Sequence, residues 1–274
     1  MTVSAEEPTL DLVLAEQRGA VLLLTLNRPD RLNAWTDALE ARYFALLDEA
    51  EDNPAVRAIV VTGAGRGFCA GADMSDLERG ASEGVEQALR NRPRPRTFPL
   101  TVRKPMIAAI NGPAAGLGLV EALYCDIRFA TRAVKLTTSF AQRGLIAEYG
   151  ISWLLPRLVG YSTALDLLLS GRVVLGEEAH RLRLVDYLSE PNGVVDDAVA
   201  YATQLTVNSS PWSMATIKAQ VQADLDRNFA ESVATAEDLM IQSFNHPDVQ
   251  EGVRSYQARE PAAFQSLPPR GTTA

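Results

Sequence analysis

Gly67-Phe68-Cys69-Ala70-Gly71-Ala72-Asp73-Met74 and Asn111-Gly112-Pro113-Ala114-Ala115-Gly116-Leu117-Gly118 decide how this chain is read. Each follows a short apolar run, residues 58–62 before the first and Met106–Ile110 before the second, that reads as a strand. Each is rich in small residues and then turns toward helix-like sequence. A helix start leaves backbone N–H groups unpaired at the positive end of its dipole. Two such turns that converge present two donors to one substrate oxygen. That is an oxyanion hole, which stabilises negative charge as it develops.

The rest of the composition narrows the classes. At 274 residues the chain has room for one large domain, or one domain with an appendage. A net charge of −8 argues against broad nucleic-acid binding. No apolar run is long enough to span a membrane, and the N-terminus lacks a signal-peptide pattern. The reading is therefore a cytoplasmic protein. Cys69 and Cys125 sit in apolar contexts and read as free buried thiols. No Cys/His cluster has metal-ligand spacing, and His180 and His246 read as surface or cap residues.

Strand and helix patterns alternate. Residues 10–15 and Val21–Leu26 read as a strand pair around Arg18-Gly19. Asp37 and Glu40 have capping-box spacing, with Leu39, Tyr43, Leu46 and Leu47 on one helical face. Residues 126–130 read as a further strand, and the alternation implies parallel strands with crossover helices. Residues 78–104 break it with glycines, prolines and a run of cations from Arg90 to Lys104. They read as an irregular basic loop, or as a lid. From Ser210-Pro211 the chain turns helical, with Ser210 as cap and Ile217, Val221, Leu225 and Phe229 four apart. A second helix is expected over 233–244 and a frayed end over 266–274. Gly63-Ala64-Gly65-Arg66-Gly67 is set aside as a dinucleotide fingerprint, because Phe68 stands where a third glycine is needed.

Phe68-Cys69-Ala70-Gly71-Ala72-Asp73-Met74, then Lys104-Pro105-Met106-Ile107-Ala108-Ala109-Ile110-Asn111-Gly112, then Cys125-Asp126-Ile127-Arg128-Phe129-Ala130 resemble the crotonase superfamily, the enoyl-CoA hydratases and isomerases. Leu26-Asn27-Arg28-Pro29 through Ala34, and Leu169-Ser170-Gly171-Arg172, extend the match to about residues 12–264. The resemblance implies an α/β fold, a crotonase-type spiral of ββα turns over residues 1–208, with a C-terminal helical trimerisation and cover region over 209–274. It implies an acyl-CoA substrate, with coenzyme A as part of the thioester and no tightly bound cofactor. It implies a homotrimer or a hexamer built as a dimer of trimers. Ala72 and Leu117 match the two oxyanion donors, Leu117 standing where glycine is usual. Arg28, Arg31 and Lys104 match or join the cations that approach CoA phosphates, and the backbone from Ala70 to Asp73 matches the adenine site. Asp73 also reads simply as a helix N-cap.

The carboxylates depart from the family's hydratase pattern. Its two glutamate positions fall on Val120 and Phe140, neither of which transfers a proton. Glu121 is one residue later, a rotation of about 100° on a helix, and reaches the site only if the helix shifts. Glu148, in Gly144-Leu145-Ile146-Ala147-Glu148-Tyr149-Gly150, resembles the pattern in which the family's isomerases carry their acid/base. Its apolar flanks would raise its pKa toward neutrality. Phe140, Tyr149 and Trp153 are expected to line the acyl pocket. The reading is an enoyl-CoA hydratase or isomerase, with both outcomes open. Its alternatives are a non-catalytic acyl-CoA binder, or a thioester hydrolase or C–C lyase that shares the enolate.

Overall fold

The computed structural model describes residues 11–271. Val13–Arg18 (β1) and Val21–Leu26 (β2) form an antiparallel pair. Ala58–Gly63 (β3), Met106–Ile110 (β4), Ile127–Thr131 (β6) and Tyr187–Ser189 (β9) extend it in parallel, in the order β1-β2-β3-β4-β6-β9. Ala114–Ala115 (β5), Lys135–Thr137 (β7) and Val174–Leu175 (β8) make a second, short sheet.

The chain steps along both sheets together. β4 leaves the large sheet, β5 touches the small one, and helix Leu117–Leu123 (α4) follows. β6, β7 and helix Ile151–Val159 (α5) repeat the step. One turn earlier, β3 is followed by Cys69, bridged to Ala114, and by helix Met74–Glu83 (α2). Before that, β2 is followed by Trp35, bridged to Ala72, and by helix Asp37–Asp52 (α1). This repetition is a spiral of ββα turns.

Period-two alternation explains why the large sheet is buried on both faces. Leu22, Leu24 and Leu26 of β2, with Ile59, Val61, Met106 and Ala108, face the main core and α1. Val21, Leu23, Ala58, Val60, Ile107 and Ala109 face the other way, against Val194, Ala198 and Ala202 of helix Val194–Asn208 (α8), which comes after helices Tyr161–Ser170 (α6) and Gly176–Arg181 (α7).

Several boundaries differ from the sequence reading. The first strand begins at Val13, and Leu10 lies outside the described residues. The cap of α1 is Thr36, whose hydroxyl accepts from Leu39 N, so Asp37 is the first helical residue. Residues 78–104 are partly helical, with α2 followed by Glu86–Arg90 (α3). Their cations lie on the acidic side of α1: Arg92 pairs with Asp37 and Glu40, Arg94 with Asp48, Arg96 with Glu40, and Arg103 with Glu51. Opposite charge on α1, invisible at that sequence distance, orders the segment.

Ser210 caps Pro211–Asp224 (α9), as expected, and Phe229–Asn245 (α10) and Pro247–Ala258 (α11) follow. Ile217, Val221, Leu225 and Phe229 are exposed. The tail is pinned as far as it is described: Arg57 donates to Phe264 O at 2.7 Å, Arg103 to Pro268 O at 3.0 Å, and Leu267 is buried. Residues 272–274 of the expected frayed end lie outside the described residues. No helix among the described residues is long and apolar enough to cross a membrane.

Candidate active site

The two turns quoted first meet in space. Cys69 O accepts from Ala115 N at 3.0 Å, which ties one to the other. A Cβ on Gly118 would stand 2.2 Å from Cys69 O, so only glycine lets α4 start this close. A Cβ on Gly71 would stand 3.7 Å from Leu117 N, which measures how near the turns come.

Backbone geometry aims two N–H groups. Trp35 N donates to Gly71 O at 2.8 Å, and Asp73 N to Trp35 O at 3.0 Å. Alternate residues of an extended chain point their polar groups to opposite sides, so Ala72 N–H faces away from Trp35. Leu117 is the first residue of α4, so its N–H has no carbonyl one turn back. Gly116, at φ 50 and ψ −123, makes the corner that starts this helix. Among the described residues neither N–H has a backbone acceptor.

Ala72 and Leu117 line one cavity of about 370 Å³, together with Glu148 and Tyr149. Met74, Leu77, Phe140 and Leu145 supply apolar walls, and Arg31 and Arg143 supply cations. Asp73 is the other carboxylate in the lining. It caps α2 through Ser75 N and pairs with Arg28 at 3.1 Å. Burial would raise it, but the Arg28 and Ser75 hydrogen bonds win and hold it below the ordinary aspartate value. Glu148 is half-buried just ahead of α5. Burial raises its carboxyl above the ordinary glutamate value, against a smaller downward pull from the Arg96 charge and the Tyr149 hydroxyl. A carboxylate that is easier to protonate is a better partner for a carbon acid near neutral pH.

The remaining expected residues divide. Ala70 and Arg31 line the cavity and Arg31 is exposed. Arg28 does not line it: its guanidinium donates to Ala34 O at 2.6 Å and to Asp73, holding the loop that carries Ala72. Lys104 is also outside. It is 1% exposed, and its ammonium donates to Asn53 O at 2.8 Å and to Ala50 O at the end of α1. Burial pushes it down to about 8. The cation-starved C-terminus of α1 accounts for this placement.

Val120 is fully buried in the core and Phe140 is a cavity wall, so both hydratase glutamate positions are apolar. Glu121 is 3% exposed and absent from the cavity lining. Neither of its carboxyl oxygens has a hydrogen-bond partner among the described residues. Burial first, and then the Glu40 charge, raise it well above the ordinary value, with Arg96 pulling back. Like Val120 one residue earlier, Glu121 lies in the core and does not border the cavity. Trp153 is likewise elsewhere, stacked under Arg157 at 3.8 Å beside a second cavity.

Arg143 and Ser139 were not singled out from sequence, yet both line the cavity. Ser139 takes φ 53, which turns the chain after β7, and its carbonyl accepts from Arg143 at 3.1 Å. The left-handed Gly144 that ends this turn was the one visible signal. Among the described residues no group of acidic, histidine or cysteine side chains could hold a metal ion.

Comparisons with known proteins agree with this geometry. The family model for enoyl-CoA hydratase/isomerase matches residues 16–267. The 1,2-epoxyphenylacetyl-CoA isomerase of Escherichia coli is 30% identical, over 93% of this chain and 98% of that protein. The crystal structure of an enoyl-CoA hydratase from Polaromonas sp. JS666 superposes with a TM-score of 0.87 at 28% identity, covering 92% of this chain and 99% of that one. An enoyl-CoA hydratase from Mycobacterium marinum is 49% identical, with a TM-score of 0.68 over 79% of this chain and all of that one. Fold, paired turns and sequence therefore agree that the chain belongs to the enoyl-CoA hydratase/isomerase family.

Proposed function

We propose that the protein moves a proton at the acyl chain of a CoA thioester, through an enolate held by Ala72 N–H and Leu117 N–H, with Glu148 as the single acid/base. The observation that carries this is one cavity lined by both donors and by one carboxylate whose pKa is raised. Asp73, the other carboxylate there, is occupied as a cap and ion pair. The thioester oxygen accepts both N–H groups. As the carbon beside the carbonyl loses its proton to Glu148, negative charge moves onto that oxygen, where the donors already point. Return of the proton to a different carbon shifts the double bond. Apolar Val120 and Phe140, where a hydratase pattern has its water-holding glutamates, favour this isomerase outcome over hydration.

Arg31 and Arg143 at the rim suit the polyanionic CoA moiety. The exposed apolar residues of α9 and α10, Ile217, Val221, Phe229 and Phe244 among them, suit a trimer or a dimer of trimers.

The test is absorbance-monitored turnover of 2-enoyl- and 3-enoyl-CoA thioesters by wild type, Glu148→Gln and Glu121→Gln. Glu148→Gln should lose about 10²–10⁴-fold in kcat and still bind thioester, while Glu121→Gln stays within a few-fold of wild type. An inactive Glu121→Gln beside an active Glu148→Gln would overturn the assignment. A wild type that binds thioesters but converts none would make the chain a binding protein.

A further inference from the structure

Tyr149 borders two cavities. On one side it lines the cavity of Ala72, Leu117 and Glu148. On the other it lines a second cavity of about 420 Å³, walled by Leu100, Leu123, Tyr124, Trp153, Leu154 and Leu225. The second cavity is mostly apolar, and none of its other lining residues belongs to the first.

Both the backbone and the ring of Tyr149 are held. Tyr149 has φ 54, a left-handed conformation that a bulky side chain seldom takes. Tyr124 Oη donates to its carbonyl at 2.6 Å. Arg96 Nη1 donates to its hydroxyl at 2.9 Å, with the guanidinium 4.8 Å from the ring centre. Arg96 is itself anchored to Glu40 at 3.0 Å and Asp37 at 3.6 Å. Strain persists where surroundings over-determine it, and such places concentrate at functional sites. Tyr149 also follows Glu148 directly, so it stands at the acyl end of the cavity if Glu148 works on the acyl carbons.

We propose that Tyr149, braced by Arg96 and Tyr124, is the specificity-determining wall that confines the substrate to a short acyl group. The chamber behind it is apolar space that a longer acyl chain would occupy if the wall were removed. This rests on the acyl-CoA reading above.

Calorimetric titration of saturated butanoyl-CoA and dodecanoyl-CoA, kept below micelle formation, reads the wall without requiring turnover. Wild type should bind dodecanoyl-CoA no more tightly than butanoyl-CoA. Tyr149→Gly removes the ring and accepts the positive φ, and Tyr149→Ala provides a second truncation. Each buried methylene is worth roughly fourfold in affinity, so two newly admitted methylenes should favour dodecanoyl-CoA by about tenfold or more in either variant. Tyr149→Phe keeps the ring and should keep the wild-type ratio. Adding Leu154→Trp to Tyr149→Gly refills the second chamber and should restore it. An unchanged ratio in both truncations overturns the wall, as does a wild type that already prefers dodecanoyl-CoA tenfold. If wild type binds neither thioester, the acyl-CoA reading itself falls, and the wall with it.

Discussion

Glu121→Gln tests whether a buried carboxyl with no partner keeps its proton in the folded protein. The side chain lies on the core face of α4, and both oxygens lack a hydrogen-bond partner among the described residues. Glu40 and Arg96 are the charges that act on it, and the Tyr43, Tyr124, Cys69 and Cys125 side chains are close enough to feel its own charge. Burial dominates, so the folded pKa is well above the unfolded value of about 4.3. Below the unfolded value both states carry the proton, and the stabilising contribution is complete. Above it the unfolded chain releases the proton and the folded chain keeps it, so stability falls as pH rises. The slope is about 1.4 kcal/mol per pH unit until the folded carboxyl ionises. Glutamine cannot titrate, so the variant loses this slope. Its own unpaired amide adds an offset that does not depend on pH, which is why the slope is the quantity to measure. Urea unfolding at fixed protein concentration, at pH 5.5 and 6.5, should show wild type losing more stability than the variant, with a ceiling of about 1.4 kcal/mol over that pH unit. At an m-value near 3 kcal/mol/M that ceiling is roughly 0.5 M in midpoint. Parallel stability–pH curves would mean that Glu121 is solvated or paired, and would refute the argument.

Three further outcomes are expected. Because burial raises Glu148 and a base works only when ionised, the rising limb of kcat/KM against pH should lie above an ordinary glutamate's, and Arg96→Met should move it higher still; a limb unmoved by Arg96→Met would show that this arginine does not act on Glu148. Gly118→Ala forces a methyl to 2.2 Å from Cys69 O, so the turns must part and turnover should fall about 10²-fold or more, checked beside circular dichroism to separate misfolding from a spoiled donor pair. Lys104→Met leaves Ala50 O and Asn53 O without their cation at the end of α1 and should cost about 2–3 kcal/mol in denaturant unfolding, with KM for the thioester unchanged.

Legibility followed the range of the interactions. β3 and β4 were readable because their runs of branched and small apolar residues suit strands buried on both faces. Ser210 and Asp73 were readable as caps because a cap is a local hydrogen bond, satisfied two or three residues away. Arg92, Arg94 and Arg96 were not, since their partners Asp37, Glu40 and Asp48 lie about fifty residues earlier. The places of Arg28 and Lys104 outside the cavity lining were not legible either, because a motif shows that a cation is present without showing what it already holds.

Resemblance to the crotonase superfamily implied the spiral and put Val120 and Phe140 at its glutamate positions, while the amino-acid sequence by itself determined the strand–helix alternation and the two turns. These depend on residue type, on spacing and on the backbone freedom of glycine, all of which are local. Tertiary structure alone decided that Glu148 shares a cavity with Ala72 and Leu117 while Glu121 does not. It also decided that Tyr149 stands between two cavities. The physical reason is that a local pattern sets which residues share a helix or strand, while the cavity or core that each side chain meets is set by chain segments far away in sequence.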